Sequence, residues 1–182
     1  VYFYPMPVDL IFIVAIGYAS QLAYKRKLDK KMILPLLYPT ASFVFLISLY
    51  SEFGVMVLFW LLIIVAATDT GAYFAGKTFG RTPFCETSPN KTLEGVVGGM
   101  IFAVIMGIFT SINEVGILGA IIVSAIVSLS SVFGDLYESY LKREAGVKDS
   151  GNILPGHGGV LDRVDGYLFG AIVMLVLLRI II

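Results

Sequence analysis

Long apolar runs separated by short polar segments dominate the 182 residues of this chain. Six runs approach the length of about 20 residues that a helix needs to cross the hydrocarbon core of a bilayer. They are too long for strands and lack strict alternation, so the pattern predicts membrane-spanning helices. The fifth run turns polar from Gly134, which predicts that its C-terminal end emerges from the hydrocarbon. The predicted spans cover residues 8–24, 32–50, 54–76, 93–112, 115–140 and 164–182.

Composition agrees with an integral membrane protein. The chain is 58% hydrophobic and 14% charged, with a mean hydropathy of +0.89, whereas a soluble domain carries roughly a quarter charged residues. The formal net charge is zero, which gives no basic field of the kind that nucleic-acid-binding proteins use. Cys85 is the only cysteine, so an internal disulfide and a cysteine-based zinc site are excluded. We therefore expect an all-α, polytopic helical bundle with a free thiol in one loop.

Positive charges alternate along the connections between predicted spans. Cations follow the first, third and fifth spans, whereas the other connections carry Glu52 and Glu114 without cations. The positive-inside rule places the basic loops in the cytoplasm. This topology brings both polar regions, residues 65–95 and 131–165, to the cytosolic face of a single domain over residues 1–182. The chain begins at Val1 without a signal-peptide pattern, and we expect the N-terminal part of a longer protein to precede it.

Asp69 lies inside the third apolar run. A carboxylate at that depth costs at least about 2.5 kcal/mol on insertion scales. Tyr73 and Gly76 follow at i+4 and i+7, on the same helical face. The pattern favours a polar pocket that opens to the cytosol. The alternative is a structural aspartate bonded to a neighbouring helix.

The loop after this helix combines glycines with Lys77, Arg81 and Lys91, so it offers close backbone approach together with positive charge. Ser88 or Thr92 is predicted to cap the fourth helix, whose N-terminus would favour an anion. The segment is not a P-loop, because it lacks the Gly-x4-Gly-Lys-Ser/Thr pattern. Alternatively, these cations serve only as topology anchors and headgroup contacts.

Acidic residues flank the connection between the fifth and sixth runs. Ser131, Asp135 and Glu138 fall on one helical face, and Asp162 and Asp165 share a face at the start of the next helix. Carboxylates combined with substrate phosphates are the preferred ligands of magnesium. The pattern therefore predicts a metal site formed by Asp135, Asp162 and Asp165. The alternative for Asp162 is a simple helix cap.

Cations and a glycine-rich turn lie between these acidic residues. Three glycines within 155–159 allow positive φ and let backbone amides approach phosphate oxygens. Lys142, Arg143 and Arg163 are suited to holding phosphate charge. His157 has no second histidine for a histidine-rich metal site. In the alternative interpretation Lys142 and Arg143 are only topology anchors, and His157 is only a loop histidine.

The same segment resembles the phosphatidate cytidylyltransferase, or CDP-diacylglycerol synthase, family. The C-terminal signature of that family has a serine, Lys-Arg, Lys-Asp, a His-Gly-Gly turn and Asp-Arg-x-Asp at fixed spacing. Segments Asp69–Arg81 and Ser88–Gly95 also resemble the second polar region of the family, whose members carry additional N-terminal spans. The matching signature residues here are Ser139, Lys142, Arg143, Lys148, Asp149, His157, Gly158, Gly159, Asp162, Arg163 and Asp165.

The resemblance implies an enzyme that transfers a cytidylyl group from CTP to phosphatidic acid, giving CDP-diacylglycerol and pyrophosphate with magnesium in a one-ion or two-ion centre. It implies CTP, phosphatidic acid and membrane lipids as partners, no nucleic acid, and a homodimer in the cell inner (plasma) membrane with the site facing the cytoplasm. Lys142, Arg143, Lys148, Asp149, His157 and Arg163 are the expected catalytic residues, with the His157 turn shaping the nucleotide site. The expected substrate-binding residues are Asp69, Tyr73, Lys77, Ser88, Lys91, Ser131, Gly158 and Gly159. The expected metal ligands are Asp135, Asp162 and Asp165.

Two other functions compete with this interpretation. A CTP-dependent polyprenol or lipid kinase would transfer the terminal phosphate to an alcohol and would need a base for the hydroxyl. The complete signature favours the cytidylyltransferase. A transporter would use Asp69 as a coupling site, but the sequence lacks the internal repeats common in that class.

Overall fold

The computed structural model describes residues 16–17, 20, 36–85, 87–151, 153 and 158–182. Five helices form most of this part of the chain. They are α1 (Ser42–Phe53), α2 (Val55–Phe79), α3 (Leu93–Thr110), α4 (Gly116–Glu144) and α5 (Leu161–Ile181). A two-stranded antiparallel ribbon, β1 (Pro83–Cys85) and β2 (Ser88–Thr92), connects α2 to α3. Short helical turns at Leu36–Ala41 and Asn113–Val115 precede α1 and α4.

Helices α2 to α5 correspond to the third to sixth predicted spans. Each is long and apolar enough to cross a membrane, and they are the four such helices in the described residues. The chain is therefore a multi-pass helical membrane protein, as predicted, with the small ribbon as an addition to the expected all-α bundle. Cys85, at the end of β1, is a half-buried free thiol.

The first two predicted spans have a different outcome. The span predicted at 8–24 lies almost wholly outside the described residues. The second predicted span, at 32–50, overlaps helix α1, which has only 12 residues. At 1.5 Å per residue this helix is about 18 Å long, which is shorter than the hydrocarbon core of roughly 30 Å. The helix is interrupted because Tyr38 precedes Pro39 and has an extended backbone, with φ −142° and ψ 122°, as steric contact with a proline ring favours. The prediction of six spans therefore exceeds the four in the described structure.

Close approach between α2 and α3 depends on small residues. A Cβ atom at Gly98 would lie 2.3 Å from the Cβ atom of Ala75, so a glycine is needed at this contact. Membrane helices pack in this way because lipid supplies little hydrophobic drive for association. Buried apolar side chains from α2, α4 and α5, including Trp60, Val127 and Met174, form the centre of the bundle.

Alternating helix directions bring the functional segments to one end of the bundle. This polar end contains the C-termini of α2 and α4, the N-termini of α3 and α5, and the ribbon. At the opposite end, Arg179 Nε donates a 2.8 Å hydrogen bond to Glu52 and connects α5 to α1. That hydrogen bond lowers the pKa of Glu52 below its ordinary value. The charged loops of the two predicted polar regions thus share the polar end.

Candidate active site

A cavity of about 450 Å³ lies at the polar end between α2, β2, α3 and α4. The structure brings four of the predicted substrate-binding residues together around it. One carboxylate and two ammonium groups share the cavity with apolar side chains. The lining residues are Asp69, Ala72, Tyr73, Gly76, Lys77, Asn90, Lys91, Thr92, Gly95, Val96 and Val132.

Helix α2 positions one side of the cavity through its periodicity. Asp69, Tyr73 and Lys77 follow one another at four-residue intervals, so they lie on one face. All three residues are exposed. The ammonium of Lys77 lies over the Tyr73 ring, 5.7 Å from the ring centroid, a geometry that attracts a cation to the aromatic face. The face therefore presents a carboxylate at one level and a cation about two turns away.

The ribbon positions the other side of the cavity. Thr92 caps α3, because its side chain accepts a 3.2 Å hydrogen bond from the Gly95 amide; of the two predicted caps, the structure selects Thr92. Glu94 accepts a 2.9 Å hydrogen bond from the Thr82 hydroxyl, which ties the ribbon to the first turn of α3. Ser88, the first residue of β2, does not line the cavity.

An acidic group lies next to the cavity, where α4 crosses α5. Asp135 and Glu138 of α4 and Asp165 of α5 place carboxylate oxygens within 4.8 Å of one another. Gly134 allows this close crossing, because a Cβ atom at that position would lie only 2.7 Å from the Asp165 carbonyl oxygen. Asp165 also accepts a 2.8 Å hydrogen bond from the Gly166 amide. We call Asp135, Glu138 and Asp165 the acidic group.

The acidic group fits a divalent cation. Glu138 is only 1% exposed, and its Oε1 atom has no hydrogen-bond partner within the described part of the chain. A buried carboxylate oxygen without a partner is unfavourable unless something else satisfies it, and hard divalent cations take carboxylate oxygens as ligands. Sequence reasoning placed Glu138 on the same helical face as Asp135 but did not select it as a ligand. Its i+3 spacing from Asp135 was the available signal.

Asp162 lies outside the acidic group. Its Oδ1 accepts a 2.6 Å hydrogen bond from Lys142 Nζ. Its Oδ2 accepts hydrogen bonds from the Ser150 amide, the Ser150 hydroxyl and the Gly159 amide, each at 2.8 Å. In this arrangement Asp162 holds the segment after α4 against the start of α5, and its predicted role as a metal ligand stays a prediction.

Two lysines neutralise part of the acidic charge. Lys142 Nζ lies 2.7 Å from Glu138 Oε2 and 2.6 Å from Asp162 Oδ1. The ammonium of Lys91 contacts the carboxylate of Asp135. Counted as fully ionised, the acidic group and Asp162 carry four negative charges and the two lysines carry two positive ones, which leaves a formal charge of −2. One divalent cation would balance that charge.

Four more of the predicted catalytic residues lie at the polar end. Arg143 and Arg163 have exposed side chains near the ends of α4 and α5, and Lys148 and Asp149 are exposed in the segment after α4. Their positions leave them accessible to a charged ligand from the aqueous side. His157 lies outside the described residues.

Three other predicted residues make contacts within the protein. Ser131 is buried, and its hydroxyl donates a 2.8 Å hydrogen bond to the Ser128 carbonyl oxygen of its own helix. Gly158 has a φ of 81° and lies against Asp162, while the Gly159 amide donates to that carboxylate. The two glycines thus shape the Asp162 segment in this structure, and their predicted contact with phosphate stays a prediction.

Tyr38 is a residue near the site that sequence reasoning missed. It is buried and packs against Tyr137 and Phe169, with ring centroids 5.2 Å and 5.7 Å away. Burial raises the pKa of Tyr38 above its ordinary value, and the carboxylates of Asp165 and Glu138 raise it further. The phenol therefore stays protonated beside the acidic group. Its place inside an apolar run concealed it in the sequence.

These features define a multi-pass membrane protein with an acidic group and a cationic cavity at one end of its helices. The chain belongs to the Cytidylyltransferase family, whose sequence profile matches residues 6–181. This confirms the family predicted from the signature residues.

Similar proteins share the sequence over most of this chain. A protein from Helicobacter pylori strain J99 named phosphatidate cytidylyltransferase is 51% identical over 179 residues, covering 97% of this chain and 67% of its own length. One of the same name from Bacillus subtilis strain 168 is 44% identical over 122 residues, covering 65% of this chain and 45% of its own length. The chain thus spans about two thirds or less of the length of these relatives. A solved structure of an archaeal intramembrane enzyme of membrane lipid biosynthesis overlaps 64% of this chain and 77% of its own, with a TM-score of 0.46 and 23% identity.

Proposed function

We propose that this protein transfers a cytidylyl group from CTP to phosphatidic acid, giving CDP-diacylglycerol and pyrophosphate. The observation that carries the proposal is an acidic group beside a cationic cavity in a chain of the Cytidylyltransferase family. The names of its relatives supply the substrates. The charged polar end of a membrane bundle suits a reaction between a water-soluble nucleotide and a lipid.

The reaction makes limited demands on acid–base chemistry. A phosphate monoester has a second pKa near 6, so much of phosphatidic acid is already dianionic at neutral pH. One of its oxygens forms a bond to the α-phosphorus of CTP. The bond from that phosphorus to the bridging oxygen breaks, and pyrophosphate leaves with the electron pair. The main obstacle is repulsion between two anions, which positive groups at the site must offset.

Asp135, Glu138 and Asp165 are the residues that would hold magnesium. Bound there, magnesium would neutralise phosphate charge and favour alignment of the attacking and leaving oxygens. A larger centre that includes Asp162 would require the ammonium of Lys142 to leave that carboxylate, since it now contacts Oδ1 at 2.6 Å.

Cationic side chains of the chain itself supply further charge compensation. Lys77 and Lys91 line the cavity, and their ammonium groups are suited to the triphosphate. Arg143, Lys148 and Arg163 are exposed at the polar end, where their cationic groups could receive a phosphate. Charge-assisted hydrogen bonds of this kind are roughly twice as strong as neutral ones.

We also propose that the polar end faces the cytoplasm of the cell inner membrane. The positive-inside rule supports this orientation, because cations of the described residues, including Lys77, Lys91 and Lys148, lie at this end. CTP would then reach the cavity from the cytosol, while the acyl chains of phosphatidic acid stay in the bilayer. A homodimer stays a prediction from the family resemblance.

Isotope transfer tests the function directly. The purified protein in lipid nanodiscs receives phosphatidic acid, magnesium and CTP labelled on either the α- or the γ-phosphorus. We expect the α-label in a lipid product and one pyrophosphate released per product, with Asp165→Asn as the inactive control. Transfer of the γ-label to a lipid alcohol, with CDP released, would instead establish the kinase. No label in lipid from either nucleotide would contradict both enzymes.

A further inference from the structure

We propose that Lys91 is an exchangeable counter-ion that couples cation binding to nucleotide binding. In this inference its ammonium occupies Asp135 until a divalent cation binds to the acidic group, and then turns to a phosphate in the cavity. The inference deepens the proposed function and rests on it for the identity of the phosphate ligand. It makes Lys91 a positioning residue whose partner changes during ligand binding.

The position of Lys91 connects the two halves of the site. Its side chain lines the cavity, and its ammonium contacts the carboxylate of Asp135 in the acidic group. The side chains of the two residues are 26% and 40% exposed. Exchange of partners at this contact therefore requires no opening of the buried core.

Lys142 provides the contrast. Its ammonium lies between two carboxylates, at 2.7 Å and 2.6 Å, and those two side chains are only 2% and 9% exposed. Removing this ammonium would leave two poorly hydrated carboxylates next to each other, which is strongly unfavourable. Lys142 is thus anchored between helices α4 and α5, whereas Lys91, a residue of the ribbon, contacts the more exposed carboxylate of Asp135.

Competition follows from elementary electrostatics. A cation that binds Asp135 would share this carboxylate with the Lys91 ammonium, and two cations at one carboxylate repel each other. The flexible four-carbon stem of lysine lets the ammonium turn away. The cavity beside it would then supply a new anionic partner in the triphosphate. Because binding free energies are reciprocal, the nucleotide would in turn favour the cation.

The first test compares Mn²⁺ binding to purified variants without nucleotide, by electron paramagnetic resonance. We expect Lys91→Met to bind Mn²⁺ about tenfold more tightly, the order expected when one charge-assisted hydrogen bond no longer has to be broken. With Mn²⁺ saturating, we expect its CTP affinity to fall about tenfold by the same reasoning. Unchanged or weaker Mn²⁺ binding would overturn the inference.

Lys77→Met is the matched control for this measurement. Lys77 lines the same cavity, but its ammonium lies over the Tyr73 ring rather than on a carboxylate. We expect its Mn²⁺ affinity to stay close to that of the unsubstituted protein. An equal gain in both variants would show a general charge effect and would also overturn the inference.

A second test uses the unsubstituted protein, so it does not depend on the folding of a variant. The rate at which an amine-reactive reagent modifies Lys91 is followed by mass spectrometry. We expect the rate to rise several-fold with Mg²⁺ alone and to fall again when CTP is added. A rate that does not respond to Mg²⁺ would refute the exchange.

Phosphatidic acid turnover, measured on the same samples, separates the two proposals. Cation-dependent changes at Lys91 without formation of CDP-diacylglycerol would contradict the proposed function and support the exchange. Turnover together with a cation-insensitive Lys91 would contradict the exchange and support the function.

Discussion

Replacing Glu138 by glutamine is the sharpest perturbation of the acidic group. The substitution keeps the size of the side chain and removes its negative charge. Glu138 is 1% exposed and presents an oxygen within 4.8 Å of those of Asp135 and Asp165. We expect Glu138→Gln to weaken divalent cation binding strongly and to leave the fold in place.

The expected loss is at least about 100-fold in cation affinity, or about 2.7 kcal/mol. Two unit charges 4 Å apart interact by about 4 kcal/mol at an effective dielectric constant of 20. A divalent ion interacts more strongly with a carboxylate, so an expected loss of about 2.7 kcal/mol in binding free energy is conservative. Stability should change little without metal. The substitution removes a poorly solvated carboxylate, and Lys142 keeps its 2.6 Å contact with Asp162.

The assay combines Mn²⁺ titration with thermal unfolding of metal-free protein in the same detergent. Glu144→Gln is the control, because Glu144 is an exposed acidic residue at the end of the same helix. We expect the control to bind Mn²⁺ as the unsubstituted protein does, while Glu138→Gln loses binding at an unchanged melting temperature.

Two results would refute this reasoning. Cation affinity within a few-fold of the original would show that Glu138 is not a ligand. A large fall in the melting temperature of the metal-free protein would show that the carboxylate serves the fold through its ion pair with Lys142.

Three further predictions concern other parts of the bundle. Asp162→Asn should reduce the free energy of unfolding by about 1–3 kcal/mol, since it removes a charged acceptor from Lys142; an unchanged denaturation midpoint would contradict this. Gly98→Ala should cost about 2 kcal/mol by overpacking α2 against α3, because its Cβ atom would lie 2.3 Å from a neighbouring carbon; equal melting temperatures would disprove the contact. Arg179→Met should cost less than about 1 kcal/mol at neutral pH, as exposed ion pairs do. Because the pair lowers the pKa of Glu52, its stabilisation is present above the unfolded pKa and is lost as the pH falls through the folded pKa. The melting temperatures of Arg179→Met and of the unsubstituted protein should therefore converge in acid. A difference in melting temperature that does not depend on pH would contradict the ion pair.

Local patterns in the sequence determined the main outline of this protein. Hydropathy located the helices that became α2 to α5, because the cost of exposing the backbone to lipid makes long apolar runs helical. Helical periodicity placed Asp69, Tyr73 and Gly76 on one face, and the structure shows that face lining a cavity. Both results depend only on residues within one segment, which explains why the sequence sufficed.

Tertiary structure decided which charged groups meet. Three features came only from the approach of separate segments: Glu138 joins Asp135 and Asp165, Asp162 is engaged by Lys142, and Tyr38 packs beside the acidic group. The close crossing of α4 and α5 sets the first two, and a sequence states neither the distance between two helices nor their rotation. Carboxylates and ammonium ions separated by tens of residues interact through distances of a few ångströms, so their partners depend on packing that no local pattern contains.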